Sequence, residues 1–213
     1  MPAGYGLYGM DVSHHQGTID WTKVAASVTG EFPLSFVIVK ATEGKGFLDE
    51  NLASNRAGAR EAGLAFGAYL FYDPSDTPQS QAEFFIGNVP LRAGDLPPVV
   101  DVEKRAGSAE SFQQNLLACL RILESHYGVK PVIYASYKFR KRYLTSDEFD
   151  AYPFWVAHYY VDEPCEDGTA WDLWQFTDRG RVPGIRGNTD LDVFAGTSAD
   201  FHKLLVTAPP SEK

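Results

Sequence analysis

The segment Leu96-Pro97-Pro98-Val99-Val100-Asp101-Val102-Glu103 reads as a short apolar strand ended by two acids. Side chains alternate along a strand, so Asp101 and Glu103 project from the same face with Cα atoms about 6.6 Å apart. Beyond it, Phe112, Leu116, Cys119, Leu120, Leu123 and Tyr127 recur at helical spacing and predict a helix over Ser108–Tyr127. Ser108 and Ser111 offer N-caps and Gly128 a C-cap. A further apolar run, Pro131–Ala135, follows. Strand, helix and strand in this order predict a parallel pair joined by a crossover helix.

The same alternation runs outward in both directions. Further strands are predicted over Leu7–Val12, Ser35–Lys40, Ala65–Phe71, Phe154–His158, Asp172–Phe176 and Leu191–Phe194, with helices over Trp21–Ser27, Asn51–Ala62 and Pro78–Gly87. About eight strands in this arrangement predict an α/β chain closed into a single TIM-like barrel. At 213 residues the chain is shorter than the ~250 typical of a full (β/α)₈ barrel, so helices should be reduced in the second half. From Tyr152 onward three strand-like runs lie close together without a long helix between them. Residues 1–206 are expected to form the barrel, and 207–213, with Ala208-Pro209-Pro210-Ser211, a tail or linker.

Composition removes several function classes. The chain is 44% hydrophobic, 14% aromatic and 22% charged, as ordinary globular proteins are. A net charge of −9 excludes the basic footprint that nucleic acid requires, and is unsuited to an anionic membrane surface. No run approaches the ~20 apolar residues of a membrane span. Residues 1–7 lack the basic region and apolar core of a secretory signal. Either a leader has already been removed or export happens by another route, release at lysis included; the extracellular or cell-envelope location expected of the protein is what the resemblance given below implies. Cys119 sits in the helical run and is expected as a buried thiol; its pairing with Cys165 is not deducible from spacing. His14-His15 superficially suggests a metal site, but adjacent residues on an extended chain face opposite ways and no ligand constellation accompanies them. Neither a metal nor a cofactor is expected, and a monomer is.

In a barrel of this kind functional groups sit at the C-terminal ends of the strands. Those ends carry Asp11, Lys40, Asp101 with Glu103, Tyr134, Trp155, Trp174 with Gln175, and Asp190 with Asp192. Acids and aromatics recurring at nearly every such end predict a carboxylate-lined, aromatic-walled cleft. Paired carboxylates are what acid-catalysed glycoside cleavage uses, one of them held protonated near neutral pH by its neighbour.

An ordered set of segments then resembles the family 25 glycoside hydrolases, the Chalaropsis-type lysozymes. It comprises Gly9-Met10-Asp11-Val12-Ser13-His14-His15-Gln16-Gly17 with Ile19-Asp20-Trp21, Val39-Lys40-Ala41-Thr42-Glu43-Gly44, Gly67-Ala68-Tyr69 and Asp101-Val102-Glu103. It continues through Ile133-Tyr134-Ala135, Trp155-Val156-Ala157-His158-Tyr159, Trp174-Gln175-Phe176 and Val182-Pro183-Gly184-Ile185 to Asp190-Leu191-Asp192. The resemblance implies a flattened barrel whose later strands are partly antiparallel. It also implies cleavage of the β-1,4 bond from N-acetylmuramic acid to N-acetylglucosamine in peptidoglycan.

On that resemblance Glu103 is the expected general acid, its proton affinity raised by an ionised Asp101. Asp101 has three open roles: nucleophile, base for an attacking water, or partner to the substrate's own 2-acetamido group, with the resemblance favouring the third. Asp11 and Asp190 align with the family's other cleft acids; Asp192 stands where Asn is common. Tyr69, Tyr134, Trp155 and Trp174 are expected to bound the sugar subsites, Lys40 to neutralise the acids or touch the muramyl lactate, and Gln175, more weakly, to bind substrate. The family often shows Tyr-His-Phe where this chain has Tyr69-Leu70-Phe71, a departure expected to bear on substrate preference. Two rivals were weighed. A family 18 chitinase or endo-N-acetylglucosaminidase would carry further acids where this chain has Val99 and Leu96, and a non-catalytic glycan-binding barrel has no need of four crowded carboxylates.

Overall fold

The computed structural model describes residues 2–26 and 33–207. Its strands are β1 (Tyr8–Val12), β2 (Leu34–Glu43), β3 (Phe47–Leu48), β4 (Ala65–Phe71), β5 (Val99–Asp101), β6 (Val132–Ser136), β7 (Phe154–Ala157), β8 (Leu173–Gly180) and β9 (Thr189–Phe194). Its α-helices are α1 (Trp21–Ala26), α2 (Leu52–Glu61), α3 (Pro78–Asn88), α4 (Ala109–Tyr127), α5 (Tyr137–Tyr143) and α6 (Ser198–Leu204). The sheet runs β1-β9-β8-β7-β6-β5-β4-β2-β3, and a β1–β2 pairing closes eight of these strands into a barrel. β3 stands outside the closed ring as a short hairpin arm on β2. Seven barrel strands are mutually parallel where they pair; β9 runs antiparallel to both β8 and β1. This is the expected modified TIM-like barrel, with the reversal confined to its last strand. The final residue of the predicted helix Trp21–Ser27 and nearly all of the predicted tail lie outside the described residues.

The strand-by-strand alternation divides the core in two. Outward side chains such as Met10, Val37, Val39, Phe66, Val100, Ile133 and Val156 pack against Leu52, Phe85, Leu116, Leu120 and Leu123 of the surrounding helices. Inward ones, among them Phe36, Ile38, Val99, Val132, Leu173 and Phe194, fill the barrel, and Phe201 of α6 packs on Phe36 and Phe194 to seal the end opposite the mouth. Gly9 has room for no side chain, because an added Cβ would lie 2.1 Å from the Phe36 ring.

The helices thin out as expected. α4 runs 19 residues, with Ser108 capping through Ser111 N–H and Gly128 closing it at φ 69°, a left-handed conformation glycine adopts at little cost. After it come only the seven-residue α5 and a 3₁₀ turn before β7, and no α-helix separates β7 from β8 or β8 from β9. Cys119 and Cys165 are both buried free thiols. No helix among the described residues is long and apolar enough to cross a membrane.

Candidate active site

The barrel register brings the sequence-predicted polar residues to one mouth. Asp11 lies opposite Asp190, Gln175 opposite Asp192, Asp101 opposite Tyr134, and Tyr134 opposite Trp155. Because β9 is antiparallel, its first residues reach the same end as the last residues of β1. That is why acids from the two extremes of the chain meet.

Gln175 is the hub of this layer. Its side-chain amide donates to Asp11 Oδ2 at 2.6 Å, and its carbonyl oxygen accepts the hydroxyls of Tyr134 at 2.8 Å and Tyr159 at 2.6 Å. An amide can serve a carboxylate through its N–H and two phenols through its oxygen at once. One layer deeper, Asp192 is fully buried, with Oδ1 accepting Trp155 Nε1 at 2.9 Å and Oδ2 without a partner. Asp192 therefore belongs to the acid cluster, a placement its spacing of two from Asp190 foreshadowed. Tyr159 was likewise not among the expected site residues.

Burial, and then mutual repulsion, govern the protonation of these acids. Asp11 is raised well above the usual carboxylate range by burial and the Asp190 charge, against the Gln175 hydrogen bond. Asp190 is pushed up to about 6, by burial first and then by Asp178. Asp192 is held high by burial with Asp11 beside it. Asp101 is raised well above its ordinary value by burial, then by Glu103 and Asp11, with Lys40 opposing. Glu103 lies two residues past the end of β5, at the lip of the mouth. The protein packed around its carboxyl raises its proton affinity, and Lys104 and Lys40 oppose that. Burial is the leading influence on both acids; the neighbouring charge adds to it at Asp101, and Lys40 opposes the rise at each. Asp101 Oδ1 is buried with no hydrogen-bond partner among the described residues.

Lys40 is buried, ion-pairs with Glu43 at 2.8 Å, and lies over the rings of Phe47 and Phe71 at 5.2 and 5.1 Å. Tyr69 faces the barrel interior among the acids, and Tyr134 and Trp155 pack edge-to-face at 4.5 Å beneath them. Trp155 is 2% exposed and forms floor rather than wall. Trp174 does not join the group. Alternation sends it outward, where it packs against Tyr5, Trp171 and Phe176 and donates to the His158 carbonyl at 2.8 Å. Leu70 also faces the outer core, so the departure from Tyr-His-Phe removes nothing from the cleft. Val99 and Leu96 are inward core residues.

His14 and His15 do not face opposite ways. They lie in a 3₁₀ turn (His14–Gln16) with ring centroids 4.1 Å apart, and His14 Nδ1 is bonded to Asp49 at 2.7 Å. Gln16 closes a capping box with Ser13 in the same turn.

Comparison with known proteins agrees with this geometry. The model of the glycosyl hydrolases family 25 matches residues 10–185, which take in Asp11, Asp101 and Glu103. A protein of Escherichia coli K12 described as uncharacterized, YegX, is 41% identical over 206 residues, covering 96% of this chain and 75% of its own. Lysozyme M1 of Streptomyces globisporus is 31% identical over 209 residues, covering 91% and 69%. Among solved structures, the bacterial lysozyme from Streptomyces coelicolor superposes with a TM-score of 0.85 at 30% identity, covering 94% of this chain and 97% of that one. A family 25 glycosyl hydrolase from Bacillus anthracis gives 0.84 at 32%. With a family match across most of the barrel, and the same fold in a lysozyme of nearly equal length, the chain belongs to the family 25 glycosyl hydrolases.

Proposed function

We propose that this protein is a muramidase. It hydrolyses the β-1,4 bond between N-acetylmuramic acid and N-acetylglucosamine in peptidoglycan, acting as a monomer outside the cytoplasm or in the cell envelope. Lysozyme M1 and the Streptomyces coelicolor lysozyme support that substrate class by their relation to this chain.

The observation that carries the mechanism is the buried, unpartnered Oδ1 of Asp101 beside Glu103. A buried acceptor without a donor costs about 1–3 kcal/mol, and the 2-acetamido N–H of the sugar is a donor of the right kind. With that N–H held on Asp101, the acetamide oxygen attacks the anomeric carbon while Glu103 gives its proton to the departing glycosidic oxygen. Water then opens the resulting oxazolinium ion, whose N–H stays on nitrogen against the Asp101 carboxylate, and Glu103, now the base, takes the water's proton. The reaction needs the pair's shared proton on Glu103 and charge on Asp101; the acetamide N–H, donating to the unpartnered Oδ1, favours that form by opposing the rise that burial imposes on Asp101. Asp190, pushed up only to about 6, carries the charge that keeps the mouth negative where positive charge develops, while Asp11 and Asp192 shape the floor beneath it. Tyr69 and Tyr134 border the bound sugar, Lys40 balances the acids, and Gln175 fixes Asp11.

The test is Glu103→Gln, which is expected to fold normally and to release no soluble muropeptide from purified peptidoglycan. Borohydride reduction of wild-type digests is expected to give reduced muramic acid. Reduced N-acetylglucosamine would point instead to a glucosaminidase.

A further inference from the structure

The chain carries nine more acidic than basic residues, yet the rim next to Glu103 is basic. Lys104 and Arg105 follow Glu103 directly, and the neighbouring α5 reads Tyr137-Lys138-Phe139-Arg140-Lys141-Arg142-Tyr143. Several of these cations are already committed. Lys104 faces Glu43 at 3.8 Å, Arg140 reaches Asp150 at 3.5 Å, and Lys141 reaches Asp167 at 3.2 Å.

Arg105 and Arg142 are different. Both are exposed, and among the described residues neither has a carboxylate within ion-pair distance; Arg105 Nη1 donates to the Gly107 carbonyl at 3.1 Å, which leaves its charge unpaired. Their guanidinium groups both pack on the ring of Tyr143, at 5.0 and 5.2 Å from its centroid. Two like charges thus stand within roughly one Debye length of each other, about 10 Å at 0.1 M salt, with no anion between them. Tyr143 is itself fixed against Phe139, which packs on Phe112 of α4. The pair is therefore mounted on the barrel's own framework.

We propose that Arg105 and Arg142 dock the carboxylates of the peptide stems borne by the glycan substrate. The inference rests on the peptidoglycan reading above and adds the part of the substrate that reading leaves unassigned. A guanidinium presents a planar fork that matches a carboxylate in two parallel hydrogen bonds, and stacking on a ring orders that fork before binding. Placement favours the stem over other wall anions. Arg105 is two residues from Glu103, about 7 Å of extended chain, and the stem branches from the muramic acid ring whose glycosidic bond Glu103 protonates. A net charge of −9 repels an anionic wall at long range. Two local cations reverse that repulsion at the point where the substrate must enter. Binding of stem-bearing strands then depends on salt, in place of the weak dependence expected from stacking alone.

The test compares the wild type with the Arg105→Gln/Arg142→Gln double variant on two preparations, peptidoglycan with its stems and the same strands after an amidase has removed them. The wild type is expected to show a lower KM on stem-bearing strands. The double variant should lose about fivefold of that preference, the factor two exposed ion pairs supply together, while Arg105→Lys/Arg142→Lys recovers part of it. For the wild type alone, raising the ionic strength should shrink the preference. A folded Gln variant with the preference intact, or a wild-type preference indifferent to salt, overturns the rim assignment and leaves the muramidase reading standing. No reducing muramic acid from either preparation overturns both. If the variant's deficit vanishes once phosphate polymers are stripped from the wall, the anion is phosphate and the stem assignment fails.

Discussion

Replacing Gln175 by Met keeps the length and bulk of the side chain and removes its amide. Three groups lose a partner at once: the Asp11 carboxylate, bonded at 2.6 Å, and the hydroxyls of Tyr134 and Tyr159, bonded at 2.8 and 2.6 Å. Tyr159 is half-buried and water can replace its bond, whereas Asp11 and Tyr134 are buried and have no such relief. At about 1–3 kcal/mol for each buried group left unsatisfied, the loss is roughly 2–6 kcal/mol, a large share of the 5–15 kcal/mol typical of a whole domain. The bond to Gln175 also holds the Asp11 proton affinity down, so its removal drives Asp11 further toward the neutral form. Urea denaturation at neutral pH, with the slope unchanged, is the assay, and muropeptide release per folded molecule is the companion readout. A loss below about 1 kcal/mol would refute the hub, because it would mean that these bonds re-form with water or with one another.

Trp174→Ala is expected to cost about 3–5 kcal/mol of stability while leaving KM unchanged for the folded fraction, since Trp174 faces the outer core; denaturation and steady-state kinetics separate the two. Asp192→Asn retains an acceptor for Trp155. Because the folded Asp192 binds its proton more tightly than the unfolded chain does, wild-type stability falls as pH rises above the ordinary carboxylate range. The variant should therefore match the wild type in acid and exceed it in denaturation midpoint at neutral pH. Asp190 follows the same sign. Raised from 3.8 to about 6, it penalises the folded state as pH rises through that window, and Asp190→Asn should flatten the stability–pH curve between those values by roughly 1–3 kcal/mol after allowing for solvent screening. Gly9→Ala forces a Cβ into the Phe36 ring and should lower stability by about 1–3 kcal/mol, read from a thermal melt.

The barrel was legible because each strand ends where an apolar run meets acids or aromatics, and because α4 carries a long, capped apolar stripe. The arm β3 and the helices α5 and α6 were not. Phe47-Leu48 is too short for a period to register, and Tyr137–Tyr143 has four cations in seven residues, so packing and the Ser136 cap rather than pattern make it helical. Within the site, the rule that failed was available in the sequence. Trp174 and Gln175 are adjacent on one strand and cannot both face the cleft, whereas Asp190 and Asp192, two apart, must face the same side. What the sequence could not display is depth. Only the closed barrel separates Asp190, near solvent, from Asp192, wholly enclosed, and only the folded surroundings make burial the leading influence on both Asp101 and Glu103.

The reversed strand β9 has a kinetic meaning. Closing the ring requires residues 190–193 to pair with residues 8–11, a separation of nearly the entire chain, and such distant pairings form slowly and late. Asp11 is made first on the ribosome and meets Asp190 only after the last strand has emerged. A nascent or truncated chain ending before Thr189 has Asp101 and Glu103 but neither Asp190 nor Asp192 to complete the acid cluster. The acid cluster can therefore be completed only when residues 189–194 are present to pair with β1, so closing the ring and completing the mouth are one event.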